Sequence, residues 1–108
     1  MSGSLEVADA EAAAVQKTPN RATLEYIKSR IKDVEYINPA GNPIMTIAVI
    51  YYENGFVLTG HSAPADAGNF NAELGKKVAY EDALWGAWPL EEFALRERLY
   101  REEEEEEK

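Results

Sequence analysis

Hydrophobic and polar positions along the chain predict a helical start, a short sheet and a helical end. Apolar residues first recur at three- and four-residue spacing at Leu24, Ile27 and Ile31. This spacing is typical of one face of a helix. Thr18 and Pro19 are suited to be the N-cap and the first helical residue. The pattern therefore predicts an N-terminal helix from Thr18 to about Lys32.

Three β-prone runs follow this helix. Residues 34–37 form a short one, closed by a turn over 38–43 that contains two prolines and a glycine. Residues 44–52 (IMTIAVIYY) are β-branched, aromatic and apolar on both faces. Asn54-Gly55 is a type I′ hairpin signal, so residues 56–61 are expected to pair back. The result is a small antiparallel β-meander whose central strand needs cover on two sides, with a second subunit as one source of it.

The C-terminal part of the chain returns to helical spacing after a loop over residues 62–69. Apolar residues recur at Phe70, Leu74, Val78, Trp85 and Trp88. Asn69 or Asn71 can cap the helix, and Pro89 ends it or opens the next. The sequence predicts an α+β fold with an N-terminal helix, the meander, and two C-terminal helices packed on the sheet.

Composition divides the chain into two tails and a single domain. Residues 1–17 are small and acidic without apolar periodicity, and residues 102–107 are six consecutive glutamates. We expect a flexible acidic tail over 1–17, one α+β domain over 18–101, and a disordered poly-Glu tail over 102–108. So small a domain, without cysteine staples, often oligomerises. We therefore expect a homo-oligomer, a dimer or a hexamer.

The charge distribution limits the classes of partner. The net charge is −9, but the body over 18–101 carries 11 acidic and 9 basic residues and is nearly balanced. A basic face for general DNA binding is not visible. No apolar run approaches the ~20 residues of a membrane span, and no signal peptide is recognisable. We expect a cytoplasmic protein without membrane or general DNA binding.

The residues do not assemble into a recognisable enzyme or metal site. The sequence has no cysteine and no nucleophile-elbow, zinc-protease or P-loop spacing. His61 and Ser62 are neighbours on a strand and so point to opposite faces, which is poor geometry for a catalytic pair. We expect no enzymatic activity, no catalytic residues, no metal and no cofactor.

Anion binding is the better candidate chemistry. Arg96, Arg98 and Arg101 lie within six residues of the last helix, and one or two guanidiniums could grip a phosphate as planar forks. Phe70 is one of several aromatic rings that could face a base. The structural alternative is that Arg96 pairs with Glu92, Arg101 pairs with Glu97, and the aromatic rings are core.

A family resemblance covers about 45 residues. Its pieces are a strand ending G-x-x-x-T-G-x-S at Gly55–Ser62, N-F-N-A-E-L-G at Asn69–Gly75, and W-P-L-E-E-F-A-L-R-E-R-L at Trp88–Leu99. In order and spacing these resemble the small tailed-phage protein family named after the gene 49 and gene 66 products of two enteric phages. The family's layout is similar to that of phage anti-Thoeris proteins, which bind a cyclic ADP-ribose signal, and in some cases cyclic oligonucleotides, without cleaving them.

This resemblance implies a counter-defence protein of a phage or prophage that sequesters a nucleotide immune signal inside the infected bacterial host. Phe70 and Asn71 would then stack on and hydrogen-bond a base. Arg96, Arg98 and Arg101 would hold the pyrophosphate, in a pocket between subunits. The alternative is a small early phage protein that binds and inhibits a host protein, with Glu102–Glu107 against a basic surface. A hydrolase of nucleotide signals is a third reading.

Overall fold

A three-stranded antiparallel sheet carries one long helix on one face and two short helices beside it. The computed structural model describes residues 4–107. The elements, in chain order, are α1 Ser4–Val15, α2 Leu24–Ser29, β1 Ile31–Ile37, β2 Thr46–Tyr52, β3 Val57–Ser62, a 3-10 turn Ala67–Asn69 and α3 Ala72–Glu106. The predicted α+β class is confirmed.

The sheet has the order β1-β2-β3, so β2 is the central strand. Ala48, Ile50 and Tyr52 of β2 are buried, and the residues between them are not. This alternation follows from the period of two in a strand, which points successive side chains to opposite faces. One face of the meander therefore packs on helices, as the apolar pattern of β2 predicts, and the other does not.

The core lies between this inner sheet face, the middle of α3, and the two short helices. Its buried members are Leu5, Leu24, Ile27, Ile50, Tyr52, Ala83, Leu84 and Ala87. Gly60 of β3 sets the distance of α3 from the sheet, because a Cβ there would collide with the backbone of Ala79 and Ala83. Close approach of the helix to β3 thus requires a residue without a side chain.

The β2–β3 connection is a hairpin, but its turn is not the predicted type I′. Gly55 has φ 91°, and no non-glycine residue among those described has a positive φ. A type I′ turn needs positive φ at both central residues. The Tyr52 N–H donates to the Phe56 carbonyl and the Gly55 N–H donates to the Tyr52 carbonyl. These bonds close a three-residue loop that ends in a left-handed glycine.

The first predicted helix begins later and ends earlier than the sequence suggests. Thr18 forms a local turn in which its Oγ1 accepts a hydrogen bond from the Asn20 N–H. The N-cap is instead Thr23, whose side chain accepts from the Tyr26 N–H. Because both threonines are equally good caps, tertiary contacts of the following residues decide between them. Ile31, expected on the helical stripe, is already the first residue of β1.

The C-terminal part is one helix of 35 residues rather than the two predicted. Pro89 lies inside it and is exposed. Proline in a helix interior costs about 3 kcal/mol. Buried residues before and after it, Ala87 and Leu95, hold both halves against the same body. Packing on both sides of Pro89 keeps the helix continuous.

Each predicted tail contains a helical segment, although residues 16–17 and 107 are not helical. Residues 4–15 form α1, and its Leu5 is 1 % exposed within the core. Residues 102–106 continue α3. Residues 1–3 and 108, which the predicted tails include, lie outside the described residues. The segment expected to be a flexible tail therefore contains a helix, α1, whose Leu5 lies in the core.

Asp9 attaches α1 to the start of α2. Its Oδ1 accepts hydrogen bonds from Arg21 Nη1 at 2.8 Å and from the Leu24 N–H at 3.1 Å. Partial burial raises the pKa of Asp9, but these two bonds and the Arg21 charge outweigh it and leave the pKa below its ordinary value. The ionised carboxylate is therefore the form that stabilises the docked helix.

Because the folded-state pKa of Asp9 is lowered, its contribution to stability is present above the unfolded pKa of about 3.9 and is lost as pH falls through the folded value. We expect Asp9→Asn to loosen α1 at neutral pH and to remove this acid-dependent step. Trp85 fluorescence reports the loosening of α1, because Trp85 Nε1 donates a hydrogen bond to Ser4 Oγ at 3.3 Å. Glu11→Gln, on the exposed side of α1, is the control. An acid transition unchanged by Asp9→Asn would contradict this role.

A second ion pair joins the end of α2 to α3. Arg30 Nη1 lies 3.2 Å from Glu91 Oε1, and the Glu91 side chain is 3 % exposed. The Arg30 guanidinium also lies 5.3 Å from the Tyr52 ring centroid and pairs with Glu53 at 3.3 Å. Burial, together with the neighbouring Glu91 carboxylate, raises the pKa of Tyr52 well above its ordinary value. The pair is thus held in a dry environment.

Glu91→Ala removes the buried carboxylate and leaves Arg30 with the exposed Glu53 as its carboxylate partner, so the cost should approach the ~3 kcal/mol of breaking a buried pair. We expect Glu91→Ala to lower the free energy of unfolding by about this amount in urea titrations. The control is Glu97→Ala, which breaks the exposed Glu97–Arg101 pair on the same helix and is expected to cost about 0.5 kcal/mol or less. Equal losses in the two variants would refute the distinction.

Candidate binding grooves at the two ends of α3

The five residues proposed to bind a ligand lie at opposite ends of α3. Phe70 and Asn71 precede its first turn, whereas Arg96, Arg98 and Arg101 lie near its end. At 1.5 Å per residue, Asn71 and Arg98 are separated by about 40 Å along the helix axis. One chain therefore does not bring the two groups together.

Phe70 and Asn71 border a cavity of about 160 Å³ between the start of α3 and the end of β3. Asn71 is the N-cap of α3, as predicted, and its Oδ1 accepts from the Leu74 N–H at 2.9 Å. The other lining residues are largely small or apolar: Ile44, Ser62, Ala63, Pro64, Asn69, Leu74, Gly75 and Val78. An apolar cavity of this size holds one aromatic ring. We call it the ring cavity.

Arg98 borders a second cavity of about 170 Å³ between the segment 21–26 and α3. Its lining residues are Arg21, Ala22, Tyr26, Glu91, Ala94, Leu95 and Arg98. Arg21 is already paired with Asp9. Arg98 makes no ion pair with any residue in the range 4–107. Its guanidinium is therefore available to an anion.

A third cavity, of about 150 Å³, lies on the other side of Glu91. It shares Glu91 and Ala94 with the second cavity. The remaining residues around it are Arg30, Tyr52, Asn54, Phe56 and Leu90. The two cavities adjoin at Glu91 and Ala94, and together we call them the arginine groove. Tyr26 and Phe56, 45 % and 51 % exposed, are its accessible aromatic rings.

Arg96 and Arg101 do not line either part of the arginine groove. Arg96 Nη2 pairs with Glu103 at 2.8 Å, not with Glu92, and Arg101 pairs with Glu97 at 3.8 Å. Both arginines are exposed. The alternative expectation, in which these arginines form helical ion pairs, is therefore correct for Arg101. For Arg96 it named Glu92, whereas the partner is Glu103. Of the three predicted arginines, Arg98 is the one that lines one of these three cavities.

The charges in the arginine groove are close to balanced. Arg21 and Arg30 have carboxylate partners in Asp9 and Glu91, so Arg98 supplies the uncompensated charge. A buried carboxylate, an unpaired guanidinium and accessible rings can hold a ligand that carries both a hydrogen-bond-donating ring and an anionic group.

Sequence reasoning missed the residues that build this groove with Arg98. Tyr26 and Glu91 are 65 positions apart, and nothing in local spacing relates them. The Trp88 Nε1 donates to the Ala22 carbonyl at 2.9 Å, and the Ala22 N–H donates to Glu92 Oε1 at 3.0 Å. These bonds hold the segment before α2 against α3. Only the tertiary fold shows them.

Two classes of site are not found among residues 4–107. No group of three or more His, Asp or Glu side chains there could hold a metal ion. No helix in the same part of the chain is long and apolar enough to cross a bilayer. His61, a lone histidine, lies with Nδ1 3.9 Å from Asp82 at the exposed end of β3.

Comparison with known proteins identifies the family. Residues 22–99 match the phage protein (N4 Gp49/phage Sf6 gene 66) family. The match includes α2, the whole sheet and α3 as far as Leu99, and so contains every lining residue of the ring cavity and the arginine groove except Arg21. No curated protein and no solved structure matches the chain. The chain belongs to the Gp49-like family of phage proteins.

Proposed function

We propose that this phage protein binds a nucleotide immune signal, of the cyclic ADP-ribose type or a cyclic oligonucleotide, and sequesters it without cleavage in the cytoplasm of the infected host. The observation that carries the proposal is Arg98, an unpaired guanidinium beside a cavity that Tyr26 also lines. Arginine binds phosphate oxygens as a planar fork, and an aromatic ring can stack on a base.

Each cavity alone is smaller than a usual pocket for a small-molecule ligand. Each cavity is about 150–170 Å³, whereas pockets for small-molecule ligands are usually about 300 Å³ or larger. The two parts of the arginine groove together reach that lower limit. A ligand that contacted both Asn71 and Arg98 would need a second copy of the chain, because these residues are about 40 Å apart along α3 within one copy.

The outward face of α3 offers a surface for such a second copy. Leu74, Trp85, Phe93 and Tyr100 are 53 %, 39 %, 66 % and 53 % exposed. At 100° per residue they fall within a sector of about 100° along the helix. Asp82, Glu92 and Arg96 fall in the same sector, so the four side chains form an apolar stripe interrupted by charges, of the mixed composition that interfaces between chains have. Antiparallel pairing of two α3 helices would bring Phe70 and Asn71 of one copy near Arg96 of the other.

Sequestration requires no bond to be made or broken. A protein in excess of its signal, with a dissociation constant near 1 nM (about −12 kcal/mol), leaves little free signal to activate an effector. Arg21 and Arg30 are already held by carboxylates, so less ordering cost remains when a ligand arrives. The protein would act by binding alone and would have no catalytic residues.

We expect Arg98→Ala to weaken binding of cyclic ADP-ribose type signals by about ten- to a hundredfold, because one charge-assisted hydrogen-bonding group contributes roughly 1.5–3 kcal/mol. Isothermal titration measures the loss. Arg101→Ala is the matched control, since Arg101 is exposed and paired with Glu97, and we expect a change of less than about threefold. Chromatographic analysis of the ligand after incubation should recover it intact.

Unchanged affinity in Arg98→Ala would contradict the assignment of the arginine groove. Appearance of a hydrolysed product would instead favour the hydrolase reading. Both variants should keep the oligomeric state of the parent chain, because neither residue lies in the exposed apolar stripe of α3. A variant that loses the oligomer as well as the ligand is replaced by Arg98→Lys, which retains charge and loses the planar fork.

A second candidate is a small early phage protein that binds and inhibits a host protein. The observation that favours it is the length of α3, which continues for eleven residues beyond Leu95, its last buried residue. This end is about 16 Å long. It presents Tyr100 and the glutamates of 102–106 to solvent, a surface that suits a basic partner.

Deleting residues 102–108 distinguishes the two candidates. A nucleotide-binding protein should keep its ligand affinity within about twofold, because the arginine groove ends at Arg98. A host-protein inhibitor that uses this end should lose inhibition of its target. Retained inhibition by the truncated chain would exclude the acidic end as the binding surface.

A further inference from the structure

No helix within residues 4–107 packs on the sheet face opposite α3. Its nine outward positions pair across the strands in three rows, and none of them is buried. The rows are Ile37, Ile47 and His61; Glu35, Val49 and Thr59; and Asp33, Tyr51 and Val57. We call these nine residues the open face. It is separate from the arginine groove and the ring cavity.

The centre of the open face is apolar. Ile47, Val49 and Tyr51 lie side by side on β2, and Ile37 and Val57 flank them with 41 % and 46 % of their surface exposed. Monomeric soluble proteins rarely leave a continuous apolar patch uncovered, and such patches mark interaction surfaces.

Charge on the open face is of one sign. Asp33 and Glu35 of β1 are its acidic side chains, and none of the nine positions is lysine or arginine. The Tyr51 hydroxyl donates to Glu35 Oε1 at 2.8 Å. This hydrogen bond is the largest cause of the raised pKa of Tyr51, followed by desolvation and by the charges of Glu35 and Asp33. A partner with cations over β1 is therefore complementary.

The dimensions of the open face match one helix. Three strands 4.8 Å apart give a width of about 14 Å, and six residues give a length of about 20 Å. A helix with its side chains is about 10–12 Å wide, and about 13 residues span 20 Å. A second open face would bring no lysine or arginine to Asp33 and Glu35. A helix of another protein that supplies cations is therefore the better complement.

We propose that the open face binds an amphipathic helix of a partner protein, with the apolar stripe of that helix on β2 and its lysine or arginine side chains facing Asp33 and Glu35. The bound helix would complete a three-layer arrangement with the sheet in the middle. In binding of this kind, apolar side chains spaced along one face of the helix make the contacts with the partner. It does not depend on the proposed nucleotide site, which lies on the other side of the sheet.

Two synthetic helical peptides of 14 residues test the proposal with the full chain. Both carry the same leucine stripe, and their flanking positions are lysine in one and glutamate in the other. We expect the lysine peptide to shift the amide resonances of Ile47, Val49 and Thr59 and to bind at least tenfold more tightly than the glutamate peptide. The nearly isosteric double variant Asp33→Asn/Glu35→Gln should weaken the lysine peptide by about five- to tenfold.

The matched control is Glu102→Gln/Glu105→Gln, which removes the same charge from α3 and should leave the affinity unchanged. Urea midpoints of both double variants verify that the fold is retained. Resonance shifts confined to α3, equal affinity for both peptides, or no binding would overturn the proposal. Self-association of the parent chain that Val49→Lys abolishes, with Val7→Lys on exposed α1 as its control, would show that a second copy covers the open face instead.

Discussion

The close packing of α3 on β3 at Gly60 is the constraint from which the rest of the structure follows. A side chain there would meet the backbone of Ala79 and Ala83, so the helix lies against the sheet only because the position is glycine. Once the middle of α3 is fixed in this way, the packing of Ala87 and Leu95 keeps the helix straight past Pro89. The continuous helix then separates its two ends by about 40 Å.

That separation determines where binding can occur. A helix interrupted at Pro89 could fold back and bring Phe70 close to the arginines, as two predicted C-terminal helices would allow. The continuous α3 instead creates a ring cavity at one end and an arginine groove at the other. It also leaves one sheet face open and presents an apolar stripe to solvent. A small domain with these surfaces is suited to binding more than one partner, and the nucleotide proposal requires a second copy only if both ends contribute.

Much of the fold was predictable because its signals are local. The β-branched run of β2, the Asn-Gly turn and the Asn71 cap each depend on neighbouring residues. The predictions from sequence were wrong where contacts between residues distant along the chain determine the structure. Five alanines in α1 carry high helix propensity, but only Leu5 docks in the core, so no periodic stripe revealed the helix. Pro89 is a helix breaker in isolation, and packing on both sides outweighs its cost.

The candidate site was predictable only in part for the same reason. Arg98 was among the residues named from sequence, but its distinction from Arg96 and Arg101 depends on which carboxylates lie within reach. Glu91 and Tyr26 join it through contacts between α2 and α3 that no spacing encodes. The family match covers Tyr26, Glu91 and Arg98, while the proposed ligand rests on the chemistry of the groove.

Native mass spectrometry tests the proposed sequestration most directly. The full chain would be purified from bacteria that produce cyclic nucleotide signals and then compared with Arg98→Ala. The proposal predicts an oligomer that carries a nucleotide-sized adduct, released intact on denaturation, and the absence of that adduct from the variant. An oligomer without adduct that also fails to bind cyclic ADP-ribose and cyclic oligonucleotides added in solution would contradict it.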